Sequence, residues 1–329
     1  MKIRVFGQGG ELRFPFEDSG PWKYFKNRIE ELGHEIAEDG NSGSEAVIAN
    51  FHSRSILHYM QKYEIPIHRR TLIIWEPSVV DSVRFRSSVL NQYGTVLAPS
   101  VIWAERVNGK PFFWPQDSKR ENELFELWEK RSNQLVMIQS NKFSARKGEL
   151  YSLRRKTMSR FSRADTHLLG RDWNRGLIYD SLQWGKSMIG SKFNEVSLSS
   201  IWGVGFEYSN YVGSVDEKIA ALEKYKVSLV IENSADYVSE KLFDSVNAGC
   251  VSLYVGPDLS RFRIEPAPFW NIPPNRDEIL AAIRSLAKMS NEKLFEVACY
   301  QKSQLSKVWK EWENTAVLTH LADLSVKNF

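Results

Sequence analysis

Cysteine is nearly missing from this 329-residue chain, with only Cys250 and Cys299 present. That excludes a disulfide scaffold. With Cys250 opening an apolar run, a bond between the two is not expected, which suits a reducing compartment. No apolar run approaches the roughly 18 residues a membrane span needs. The first residues, Met1 to Phe6, lead directly into a strand pattern, so neither a signal peptide nor an anchor is expected. A large excess of either sign of charge is missing as well. Lys and Arg number 44 against 40 Asp and Glu, and the resulting +4 is too small to imply nucleic acid. The chain has no Asp-x-Asp motif and no His/Cys cluster at ligand spacing, so no metal and no cofactor is required. Internal repeats and low-complexity tracts are missing too.

What remains is an ordinary globular composition, 42% apolar and 26% charged, long enough for two domains with separate cores. Ile3 to Phe6 predicts a strand running into Gly7-Gln8-Gly9-Gly10, which suits a flexible turn as well as a nucleotide loop. After Pro21, Trp22, Phe25, Ile29 and Leu32 recur at helical spacing up to Gly33. Ala46 to Phe51 predicts a strand followed by His52, a residue that serves equally as a structural hydrogen-bonding group. Ile56 to Tyr63 is helical by period, and Leu72 to Trp75 predicts a strand closed by Glu76-Pro77. Proline holds Glu76 extended at a strand's carboxyl end, where α/β folds place ligands, although a turn cap is the plain alternative.

Gln92 to Pro99 predicts a buried strand that ends the first sheet, and Asp117 to Asn133 a crossing whose Leu124, Phe125 and Trp128 pack on one side. Leu135 to Ile138 would open a second sheet. From Lys142 to Arg163 the chain carries eight basic residues against the single acid Glu149. This suits an anionic ligand or an anionic membrane surface, or simply a solvated helix face. Tyr208 to Val215 reads as a loop and Asp216 to Tyr225 as a helix. Asp277 to Met289 and Leu294 to Asn314 are helical, with Leu305, Val308, Trp309 and Trp312 forming a packing stripe.

The most informative stretch runs from Glu223 to Pro257. Val227 to Ile231 predicts a buried strand, Glu232 to Asp236 a polar turn, Leu242, Phe243 and Val246 the inner face of a helix ended by Gly249, and Val251 to Val255 a further strand. The unit is β-loop-α-β. Tyr237, Glu240 and Lys241 fall at the helix mouth, where free N–H groups and the helix dipole favour an anion such as a diphosphate. Spacing alone equally permits Glu240 and Lys241 to be solvated first-turn residues.

The wording of this stretch, Glu232-Asn233-Ser234, Asp236 to Leu242, and Ala248 to Pro257, resembles the donor-binding signature of the α-1,3-fucosyltransferases, glycosyltransferase family 10. It departs from that pattern at Ile231, Phe243 and Ser252, all packing positions. The resemblance extends to Ser140 to Arg146 and to Asp165 to Arg171. It is also found at Ala46 to His52, and around Glu76-Pro77, where one residue of the family motif is missing.

The resemblance implies an α/β, GT-B architecture of two Rossmann-like domains facing a central cleft. The expected organisation is an acceptor domain at 1–133, a donor domain at 134–300 and a C-terminal helical segment at 301–329. It implies inverting transfer of L-fucose from GDP-fucose to a glycan hydroxyl, with the absent anchor resembling the bacterial, cytoplasmic kind. Glu76 would be the base. Arg146, at the head of a helix, and Lys241 would meet the diphosphate. Asn233, Tyr237, Glu240, Ser140, Gly170 and Arg171 would line the donor pocket, and His52 would belong to the acceptor side. Open alternatives are a different GDP-sugar donor and a sugar- or nucleotide-binding module without catalysis. The basic run lacks the interleaved aromatics of a nucleic-acid binder.

Overall fold

The computed structural model describes residues 1–7, 20–37, 43–121, 123–188 and 196–329. The loop Gln8-Gly9-Gly10 lies outside them. The chain divides into two compact units, one comprising Met1–Ser118 with Lys310–Phe329 and the other Lys119–Trp309. This differs from the expected division at 133/134 and 300/301. The C-terminal helix Asn314–Val326 buries Val317, Leu318 and Leu321 in the first unit's core, so the last residues complete that core rather than forming a separate segment.

In the first unit the strands are β1 (Lys2–Phe6), β2 (Glu35–Ile36), β3 (Ala46–Ala49), β4 (Arg70–Ile73), β5 (Thr95–Ala98) and β6 (Lys110–Pro111). All pairs are parallel, in the order β2-β1-β3-β4-β5-β6. The strand expected to end this sheet, β5, is therefore followed by the short edge strand β6. Helix Lys23–Glu31 places Phe25 and Ile29 on the sheet, whereas Leu32 is exposed.

The second unit holds β7 (Ser132–Ile138), β8 (Thr166–Leu169), β9 (Tyr211–Gly213), β10 (Tyr225–Ile231) and β11 (Val251–Val255). They are again parallel, ordered β11-β10-β7-β8-β9. The segment Tyr208–Val215, expected to be a loop, contains β9. Every residue of β10 and β11 is buried, as expected for parallel strands covered on both faces. The crossing expected over 117–133 holds the short helix Phe125–Trp128, with Trp128 buried and Leu124 exposed, and its last two residues already belong to β7.

Both strand orders reverse direction once. In the first sheet this occurs between β1 and β3, and in the second between β7 and β10. At such a point the loops leaving adjacent strands diverge to opposite faces and open a crevice beyond the carboxyl ends, the general ligand position of open α/β sheets. The architecture is the two-domain Rossmann-like fold of the GT-B type. Among the described residues no helix is long and apolar enough to cross a membrane.

Candidate active site

In the second unit the reversal point is flanked by the residues that follow β7 and β10. β10 leads into Glu232, whose side chain is fully buried. A buried carboxylate is tolerable only when its oxygens are satisfied. Here it accepts from Ser239 N at 3.0 Å, from Ser239 Oγ at 2.8 Å and from Lys241 Nζ at 3.2 Å. Tyr254 Oη adds a contact at 3.4 Å. Ser239 also caps helix Glu240–Asn247 by accepting from Lys241 N at 3.4 Å. The polar turn is thereby folded back onto the strand end from which it leaves.

Lys241 is thus already engaged. Its ammonium pairs with Glu232, lies 3.8 Å from Glu240 Oε1, and donates to Ser239 Oγ at 2.8 Å. Glu240 is shared with Lys218, which in turn reaches Asp244 at 2.6 Å. The Glu240 side chain is 40% exposed; desolvation of its covered part works against the charge, but Lys241 and Lys218 outweigh that and hold the carboxyl low, at about 2. Burial also opposes the Lys218 charge, and Glu240 and Asp244 outweigh it and raise that pKa. The helix mouth carries a network of three carboxylates and two ammonium groups rather than a bare positive charge.

The next residue, Asn233, is also used structurally. Its Oδ1 accepts from Arg154 Nη2 at 2.8 Å and its Nδ2 donates to Tyr237 Oη at 2.7 Å. Tyr237 is 1% exposed, so neither side chain lies open to a ligand as expected. Both shape the turn. Arg154, from helix Tyr151–Met158, is buried and donates Nε to Ile231 O at 3.0 Å. Gln139 Nε2 reaches the same carbonyl at 2.9 Å, tying β7 to β10 where they end. Burial lowers the Arg154 pKa, opposed mainly by Tyr151 and Glu232.

The basic run from Lys142 to Arg163 is therefore not one face. Arg155 is buried too, bonding Trp202 O, Lys142 O and Ser200 O at 2.7 Å each and stacking on Phe143. Lys142, Lys147, Arg160 and Arg163 are the exposed members. Arg146 is half-buried on the loop and forms a bridge with Val196. It precedes the helix that begins at Tyr151 rather than heading it.

Ser140 follows Gln139 and is half-buried. Gly170 directly follows β8 with φ +125°, and a Cβ there would stand 2.3 Å from Gln139 O, so only glycine lets the two strand ends pass. Arg171 is exposed, and its carbonyl accepts from Asn141 N at 2.9 Å. Gln139 Oε1 and Asn141 Oδ1 are buried acceptors without a hydrogen-bond partner among the described residues, a costly pairing at one strand end.

In the first unit Glu76 and His52 follow neighbouring strands, β4 and β3. Trp75, just before Glu76, is set by three edge-on rings, Trp22, Phe112 and Trp114, and donates Nε1 to Asn50 Oδ1 at 2.7 Å. Asn50 Nδ2 in turn donates to Phe6 O at 3.0 Å, so three strand ends are locked together beneath a half-buried Glu76. His52 Nδ1 contacts Tyr93 Oη at 3.0 Å. Burial and Arg84 lower the His52 pKa, with Asp81 opposing.

Four residues that matter here were not singled out from the sequence: Glu232, Ser239, Arg154 and Asn50. Glu232 and Asn50 shared one legible signal, a polar residue directly after a strand. Arg154 was masked by its basic neighbours. Among the described residues no three His, Cys, Asp or Glu side chains gather as metal ligands.

No family model matches the chain. A putative fucosyltransferase-like protein of Arabidopsis thaliana is 50% identical over 52 residues, which is 15% of this chain and 10% of that protein's length. Among solved structures, an α1,3-fucosyltransferase with GDP superposes with TM-score 0.51 at 13% identity, covering 98% of this chain and 89% of the other. Anabaena Alr3699/HepE in complex with UDP-glucose gives TM-score 0.57 at 9% identity with both chains fully covered. An α-glucosyltransferase in complex with UDP-glucose and abasic DNA gives 0.54 at 10% identity and covers 99% of each chain.

Proposed function

We infer that the chain is a glycosyltransferase that moves L-fucose from GDP-fucose to a hydroxyl of a glycan, with inversion. The observation that carries this reading is the turn Glu232–Lys241 at the β7/β10 reversal point, held by Arg154 from below and by the Glu232–Lys241 pair at its far end. The Arabidopsis segment and the GDP-bound structural neighbour support the guanosine-linked donor. In the reaction the Glu76 carboxylate takes the acceptor's hydroxyl proton as that oxygen bonds to the anomeric carbon. The anomeric C–O bond breaks with its electron pair passing to the departing GDP, through an oxocarbenium-like state. Arg146, Lys241 and the first-turn N–H groups of helix Glu240–Asn247 meet the charge that develops on the diphosphate.

UDP-glucose on a structural neighbour favours a second reading, a UDP-sugar donor in the same crevice. Incubation with GDP-fucose, a second GDP-sugar and UDP-glucose, with and without a glycan panel, separates the two by which nucleotide is released. Under the first reading Glu76→Gln abolishes transfer while GDP affinity stays within about twofold, and Arg146→Ala weakens GDP about tenfold. Full transfer by Glu76→Gln removes that residue from the mechanism. Nucleotide binding without transfer to any glycan leaves only a binding module.

A further inference from the structure

At the other end of the second sheet, toward the amino ends of its strands, lies a cavity of about 470 Å³. Its walls are chiefly apolar, from Leu135 and Val227 on the sheet, Leu286 and Leu294 on the helices beyond, and Phe161. Lys226 lines it and is itself only 2% exposed. The pairing of β10 with β7 slips in register between Tyr225 and Val227, an irregularity of the kind that re-aims a side chain. The Lys226 ammonium donates to Asn133 Oδ1 at 2.6 Å and Asn291 Oδ1 at 3.0 Å, both of which also line the cavity.

An ammonium carries three donors, and a buried charge normally has a counter-charge. Here both hydrogen-bonded partners are neutral amides, and among the described residues no carboxylate stands within ion-pair distance. Burial lowers the Lys226 pKa, and Glu129 opposes that only through space. Asp165 also lines the cavity, but its carboxylate is turned to Ser162 N and Oγ at 3.2 and 2.7 Å. A buried cation without an anion, at the wall of an apolar cavity of ligand size, defines an amphiphile of opposite charge. At the roughly 30 Å³ that a water-sized group occupies in a liquid, the space holds on the order of fifteen non-hydrogen atoms.

We propose that this cavity binds a medium-chain aliphatic carboxylate, its head on the Lys226 ammonium and its chain against Leu135, Leu286 and Leu294. The site is separate from the reversal-point crevice and does not depend on which sugar nucleotide is used there.

The test is calorimetric titration of the full chain with sodium decanoate below its micellar range, with decanol and a decyltrimethylammonium salt as head-group controls. Decanoate is expected to bind saturably at one site, with decanol at least tenfold weaker and the decyl cation not binding. Lys226→Met should weaken decanoate at least tenfold. Ala287→Trp should do the same by filling the space from an exposed wall position, with cooperative unfolding and GDP binding retained. Should Lys226→Met not fold, Ala287→Trp decides alone. The proposal is overturned by no saturable binding of decanoate, by equal affinity for the cation, or by decanoate affinity unchanged in the variants that fold.

Discussion

Replacing Glu232 by Gln probes the turn at its most buried point. The carboxylate is fully buried and stands 3.2 Å from Lys241 Nζ. At an effective dielectric constant near 20 that separation corresponds to a gross attraction of about 5 kcal/mol. Two effects reduce the net loss. An uncharged amide no longer carries the several kcal/mol cost of a buried ion, and Lys241 keeps Glu240 at 3.8 Å. The amide oxygen can still accept from Ser239 N, so the turn keeps one of its ties. A net destabilisation of about 2 kcal/mol follows, which in a unit of roughly 190 residues lowers Tm by about 4–8 °C. Calorimetric melts with and without GDP should show the drop confined to one transition, and titration should show GDP affinity weakened at least tenfold. Glu240→Gln is the control. Its side chain is 40% exposed, so solvent screening limits its effect to about 0.5 kcal/mol. Unchanged melting and unchanged GDP affinity in Glu232→Gln would refute the claim that this carboxylate organises the turn.

Three further outcomes are expected. Gly170→Ala puts a Cβ 2.3 Å from Gln139 O at a φ of +125°, and should cost on the order of 3 kcal/mol, seen as a lower urea midpoint by circular dichroism. Arg154→Met removes the buried donor to Ile231 O and Asn233 Oδ1, and should lower stability by about 3 kcal/mol and weaken GDP, whereas an exposed neighbour such as Arg160→Met should do neither. His52 has a folded pKa below its ordinary 6.5, so the unfolded chain binds the proton first and the first unit loses stability as pH falls below about 6.5. Melts across pH 7.5 to 5 should show that loss diminished in His52→Gln.

The stretch around β10 was the most legible. A β-branched run, a polar turn, a helical stripe and a glycine stop follow one another with little else competing, and β11 runs from Val251 to Val255 as expected. Edge elements were the least legible. β6 is two residues long and β9 three, too short for periodicity to register, and each exists because a neighbouring strand supplies its hydrogen bonds. The site residues followed the same division. Glu76 stands out by the proline that follows it, which is local, whereas Gly170 stood out only by resemblance and its need for glycine is visible only in the structure. Tyr237 and Lys241 stood out by their place at the helix mouth and Asn233 by the family resemblance, but neither signal says anything of partners, and it is their mutual bond and burial that turn Asn233 and Tyr237 inward to shape the turn.

By itself, then, the chain's order of residues determined the alternation of strand and helix, the two parallel sheets, and the position of the polar turn beyond β10, because periodicity, turn chemistry and glycine stops act over a few residues. Which charges were buried, and which groups their hydrogen bonds reach, was decided by tertiary packing alone. Arg154 meets Asn233 across 79 positions of sequence, and Lys226 meets Asn133 across 93. No local pattern encodes such a meeting, since it exists only once the sheet has brought those strand ends together.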